Sequence, residues 1–164
     1  MRLSITGTFC YREAPWLYWS ELFHGLELGY LKQRDVVEFA LEKLTVNSSA
    51  DHYSLASLDE SEYYEVSDLI CSLTKDEDDA GDAEKVWKYL LLLWLWKQKD
   101  SLLDPLGAVE ELYADLGYPE DLSKLVRYMP PTNGSPGSKK RLMEYWNSLL
   151  EVYGVELQRS HIAS

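Results

Sequence analysis

The side chains with the most chemistry to offer are carboxylates. Between residues 59 and 84 stand eleven acids: Asp59, Glu60, Glu62, Glu65, Asp68, Asp76, Glu77, Asp78, Asp79, Asp82 and Glu84. The one base among them is Lys75, so this stretch carries −10 of the chain's net −12. Such density repels itself and destabilises the compact state. It also makes a surface that attracts a basic partner and speeds encounter by long-range steering. A solvated loop beside a charged helix face would show the same pattern. Glu62, Glu65, Asp68, Asp76, Glu77, Asp78, Asp79 and Asp82 are the candidate partner-binding residues.

Other chemistry finds less support. Asp76, Asp78, Gly81 and Asp82 match positions one, three, six and seven of a calcium loop. Position five is Ala80, however, and position twelve, where a bidentate glutamate closes the shell, is Trp87. No metal or cofactor is therefore expected. His24, His52 and His161 have no H-x-x-x-H partner, and no serine lies in a G-x-S-x-G turn. Glu110 and Glu111 are adjacent on a helix surface, where solvation explains them. Cys10 and Cys71 have neither CxxC spacing nor a nearby histidine, which excludes a disulfide framework or thiolate metal site. Lys139-Lys140-Arg141 opens the last helix, slightly against the helix dipole. No catalytic constellation emerges, and the expectation is a protein that binds without catalysing.

These residues need a scaffold. A chain of 164 residues, 46% hydrophobic, is long enough for one core and short for two, so residues 1–164 read as one domain. Its 12 Tyr and 6 Trp against 3 Phe suit half-buried positions and interfaces. The negative charge argues against contact with nucleic acid or an anionic membrane. The longest apolar run, 89–96, is far below the ~20 residues that span a bilayer. With no signal-like N-terminus, the cytoplasm is the expected location.

Apolar residues recur at i, i+3, i+4, i+7 in six sets: Trp19 to Leu26, Val37 to Leu44, Val66 to Leu73, Val109 to Leu116, Leu122 to Met129 and Leu142 to Leu149. Each predicts a helix with one face to bury. The segment 82–99 is apolar nearly all round, with Asp82 and Glu84 at its start and Lys97 and Lys99 at its end, as a central helix would be. The fold class is thus all-α, a bundle of about seven helices around that segment. Asp59 with Glu62 forms a capping box, Asp104-Pro105 a helix start and Gly117 a helix stop. Asn133-Gly134-Ser135-Pro136-Gly137 reads as a loop. Leu28-Gly29-Tyr30 and Leu116-Gly117-Tyr118 share one pattern of helix, glycine stop and aromatic. Leu3, Ile5 and Phe9 predict a short strand or extended arm over 1–11, and 154–164 reads as a mobile tail.

Several short patterns occur in a particular order. Trp16-Leu17-Tyr18-Trp19-Ser20-Glu21-Leu22 leads through Gly25 and Gly29 into Asp35-Val36-Val37-Glu38-Phe39-Ala40. Leu112-Tyr113-Ala114-Asp115 and Tyr118-Pro119-Glu120-Asp121-Leu122 follow. Then come Tyr128-Met129-Pro130-Pro131 and finally Trp146-Asn147-Ser148-Leu149-Leu150. In this order, from Trp16 to Tyr153, the chain resembles an uncharacterised bacterial family found among immunity proteins of contact-dependent growth inhibition and polymorphic toxin systems. The resemblance implies a small cytoplasmic protein that binds and neutralises one cognate secreted toxin by covering its active site. Toxins of these systems are frequently nucleases, ribonucleases among them, with basic clefts that an acidic inhibitor would suit. The acidic block after Ser72 is no shared feature of that family. Two other readings stay open: a cytoplasmic helical adaptor, and a metal-dependent hydrolase built from helix carboxylates.

Overall fold

The computed structural model describes residues 5–79, 81–127 and 139–162, and among them every regular element is helical. The helices are α1 (Gly7–Glu13), α2 (Trp19–Glu27), α3 (Gln33–Lys43), α4 (Ala50–Ala56), α5 (Val66–Lys75), α6 (Ala83–Gln98), α7 (Pro105–Asp115) and α8 (Lys139–Ile162). Short 3-10 segments occupy Glu60–Glu65, Lys99–Ser101 and Glu120–Leu125. The protein is all-α, as the periodicity predicts.

The described residues from 5–87 and 158–162 form one compact unit, and those from 88–157 form another. In the first unit α3 packs against α1 and α4, while α5 packs against α4 and α2. Leu22, Val36, Phe39, Leu55, Ile70 and Trp87 are buried there. Gly25 makes room for the Trp87 indole: a Cβ on Gly25 would lie 2.1 Å from a ring carbon. In the second unit Trp146 is fully buried, meets Trp96 edge to face at 5.1 Å and donates its indole N–H to the Leu92 carbonyl at 3.3 Å. Truncating so large a buried ring costs about 3–5 kcal/mol.

Helix α6 matches the apolar segment expected at 82–99. From Val86 to Leu95 only Lys88 and Trp94 are less than buried, and Glu84 and Lys97 sit in its first and last turns. The caps also agree. Asp59 and Glu62 form their box, although it opens the 3-10 segment that leads into α5. The Asp104 carboxylate accepts from the Gly107 N–H, with Pro105 at the first helical position. Gly29 and Gly117 take φ of 84° and 81°, and Tyr30 and Tyr118 each return an N–H to a carbonyl five residues back at 2.9 Å. The sequence echo is therefore one capping geometry used twice.

Three expectations need correction. Phe9 lies in helix α1, not in a strand, because Thr6 caps the helix by accepting the Phe9 N–H at 3.0 Å. The tail expected from residue 154 continues α8 as far as Ile162, with Leu157 buried. The helix expected from Leu122 onward is a 3-10 segment ending at Leu125, and Val126 is extended. Leu122, Leu125 and Val126 are all buried by that arrangement, which satisfies the same apolar pattern with a tighter turn. Helix α4 carries none of the six stripes. Ser49 starts it by accepting the His52 N–H. Leu3, the Tyr128-Met129-Pro130-Pro131 pattern and the Asn133 to Gly137 loop lie outside the described residues.

Candidate functional site

Among the described residues, the most enclosed charged side chain is that of Glu21, which is fully buried. It occupies the third position of α2, so its carboxylate folds back to accept the Tyr18 N–H at 2.9 Å. The Asp82 N–H donates to the other oxygen at 3.0 Å. His161 places Nε2 at 2.8 and 3.0 Å from the two oxygens. A carboxylate only accepts, so that nitrogen carries the proton. The ring's other nitrogen lies 3.1 Å from the Ser160 hydroxyl.

Aromatic rings enclose this pair. The His161 ring stacks on Tyr18 with centroids 4.6 Å apart and tilts against Trp16 at 4.5 Å. The Trp87 indole N–H donates to the Glu21 carbonyl at 2.7 Å. Gly81 passes over the carboxylate at a φ of 70°, and a Cβ there would sit 2.3 Å from a Glu21 oxygen. Only glycine fits both the backbone and the space. A glutamate–histidine pair has the composition of an acid–base couple, yet the two side chains are 0% and 3% exposed. In this arrangement it is a closed clamp.

Neither member is singled out by the sequence. They stand 140 residues apart, and 158–162 gives no sign of returning to α2. The other histidines have different settings: His24 is exposed, and His52 is buried with Nε2 2.8 Å from the Ala40 carbonyl.

The acidic stretch divides in two. Asp68, Asp76, Asp78, Asp79 and Asp82 are exposed, while Glu62 and Glu65 are half-buried. Glu62 reaches back to the Asp59 N–H, Asp79 accepts the Gly81 N–H, and Asp82 accepts the Lys85 N–H at the start of α6. Glu77 leaves the exposed set. Its carboxylate accepts the N–H groups of Trp19 at 2.6 Å and Ser20 at 2.9 Å, across the start of α2. Burial pushes its carboxyl up, more than those amides and the Ser20 hydroxyl pull it down, and nearby Glu21 adds to the rise. Glu77 is thus a structural acid among candidates for docking.

A second carboxylate cluster lies in the other unit. Asp121, from the Tyr118-Pro119-Glu120-Asp121-Leu122 pattern, receives Lys88 Nζ of α6 at 2.7 Å and the Tyr153 hydroxyl of α8. Lys88 also lies 5.6 Å from the centre of the Tyr153 ring. Burial alone would raise the Asp121 carboxyl, but the Lys88 and Tyr153 hydrogen bonds outweigh it and hold it below the usual range. Burial and the bond to Asp121 push the Tyr153 phenol well up. Nearby, Arg127 bridges Asp104 and Glu110 at the surface.

A family described as "Uncharacterized protein conserved in bacteria (DUF2247)" matches residues 9–153. The chain belongs to this family. Neither the curated proteins nor the solved structures give a match. The DUF2247 match takes in the patterns from Trp16 to Trp146 on which the resemblance rests, and its description names no activity and no tie to toxin immunity. Glu21, Glu77, Asp82, Lys88 and Asp121 lie inside the match, whereas His161 lies beyond it. Among the described residues, no helix is long and apolar enough to cross a membrane.

Proposed function

We propose that this DUF2247 protein is an immunity protein that binds and neutralises a cognate secreted toxin, a nuclease with a basic active site, in the cytoplasm. One observation carries the reading. Asp68, Asp76, Asp78, Asp79 and Asp82 are exposed within a single compact unit, and among the described residues none of them is held in an ion pair. Unneutralised charge at that density destabilises a protein that only has to fold. Against a cleft built to hold phosphate, the same carboxylates act as phosphate surrogates and raise the rate of encounter. Exposed aromatic side chains, Tyr64 at 77% and Tyr53 at 43%, lie in the same unit and supply the large, stiff contact groups that dominate binding energy.

The test is co-expression with the toxin encoded beside it. A stable complex and restored growth are the expected result. Purified protein that neither binds nor protects overturns the reading and favours a helical adaptor with a different partner.

A further inference from the structure

The Glu21 clamp has the composition of a receptor that is already filled. We infer that Trp16, Tyr18 and Glu21 form a recognition pocket for a planar nitrogen side chain, imidazole or guanidinium, and that His161 is its exchangeable internal occupant. The inference stands whether or not the protein neutralises a toxin.

The chemistry of the walls defines the ligand. The imidazole stacks on the Tyr18 ring at 4.6 Å and 27°, and the Trp16 ring lies 4.5 Å from its centre at a tilt of 50°, surroundings that suit a flat ring. At its edge both Glu21 oxygens point to one nitrogen, at 2.8 and 3.0 Å. A carboxylate presented this way also accepts the paired N–H groups of a guanidinium. An alkyl ammonium would meet the carboxylate but gain less from stacking, because its charge is compact and strongly hydrated.

The carboxylate of the pocket is held by bonds that do not involve its occupant. Glu21 is oriented by the amides of Tyr18 and Asp82, and its backbone carbonyl is held by the Trp87 indole. Gly81 closes over the carboxylate without touching the stacking faces through a side chain of its own. Removing the imidazole therefore leaves the Glu21 carboxylate fixed in place, and a preoriented charged group favours binding of a small ligand.

The occupant is separable from the walls. His161 sits in the last turn of α8, after three exposed residues, Gln158, Arg159 and Ser160. The family match contains Trp16, Tyr18, Glu21, Gly81 and Asp82 but stops before His161. The walls thus belong to the stretch shared with the family, and the side chain that fills them comes from outside it.

The test is chemical rescue in the full chain. His161→Ala lowers the melting temperature by roughly 5 °C or more. Millimolar imidazole or methylguanidinium then raises it by about 3 °C, and does so much less for the native chain. Sodium chloride at matched ionic strength gives no such recovery. Adding Glu21→Gln to His161→Ala abolishes the rescue. If both probes stabilise His161→Ala no more than the native protein, the inference fails. Should His161→Ala not fold, the native chain decides. Methylguanidinium must then speed amide hydrogen exchange in residues 158–162 relative to α3, and unchanged exchange there overturns the inference.

Discussion

Glu21 and Asp121 are two carboxylates in two units, each meeting groups from distant parts of the chain, and they are held by opposite means. Glu21 is gripped by two backbone amides and one imidazole and is wholly enclosed. Asp121 is gripped by the ends of two long side chains, Lys88 and Tyr153, and its side chain stays 34% exposed. Backbone donors cannot rotate away, so the first arrangement fixes geometry and forfeits stability if broken. Side-chain donors can be replaced by water, so the second yields more cheaply. Rigid backbone donors hold a carboxylate in one geometry; flexible side-chain donors leave it adjustable.

That contrast orders the expected effects of mutation. Glu21→Ala leaves two amides and the His161 N–H without their acceptor, and the loss should be about 3–5 kcal/mol in urea unfolding. A loss below 1 kcal/mol would erase the distinction between the two sites. Gly81→Ala strains a left-handed backbone and drives a methyl into the carboxylate, for about 2–3 kcal/mol. Leaving Glu21 in place, it tests whether the grip depends on the close approach.

Asp121→Asn should cost about 1 kcal/mol at neutral pH once solvent screening is counted. Its pH dependence carries a definite sign. The folded carboxyl lies below its unfolded value, so its contribution is complete above an unfolded pKa near 3.9 and is lost as pH falls through the folded one. The native and Asp121→Asn proteins should therefore converge in stability as pH drops below about 4. Glu77 has the opposite sign, since its folded carboxyl is raised. Its ionisation costs stability at neutral pH, and that cost is relieved as pH falls through its folded pKa. Glu77→Gln, followed by urea unfolding from neutral to acid pH, should flatten that relief.

The smallest effect on stability belongs to the exposed acids. Asp76, Asp78 and Asp79 changed together to Asn should leave unfolding within about 0.5 kcal/mol of native, or slightly improved. Under the immunity reading the same triple change slows association with the toxin by about tenfold at low salt and much less at high salt. Equal association rates would mean that the acids serve solubility alone.

The elements of this fold are largely legible in the order of residues. The stripes beginning at Trp19, Val37, Val66, Val109 and Leu142 each name a helix, because a period of 3.6 apolar positions leaves one face to bury. Caps at Asp59, Asp104 and Gly117 are legible for a similar reason, since they act within four residues. Helix α1 is missed because Leu3, Ile5 and Phe9 alternate like a strand, while one hydroxyl, that of Thr6, starts the helix. The acidic residues are visible by count, but a count cannot tell that Glu77 turns inward onto α2 while Asp76 and Asp78 stay out.

Local periodicity and composition, then, determine that the chain is helical and acidic, because those properties depend on neighbours in sequence. Which carboxylates are structural is decided only by tertiary contacts, across 140 residues for Glu21 and His161 and 57 for Glu77 and Ser20. The physical reason is desolvation. The same side chain is a solvated charge or a buried anchor according to what the fold brings to its oxygens, and partners so far along the chain leave no periodic trace.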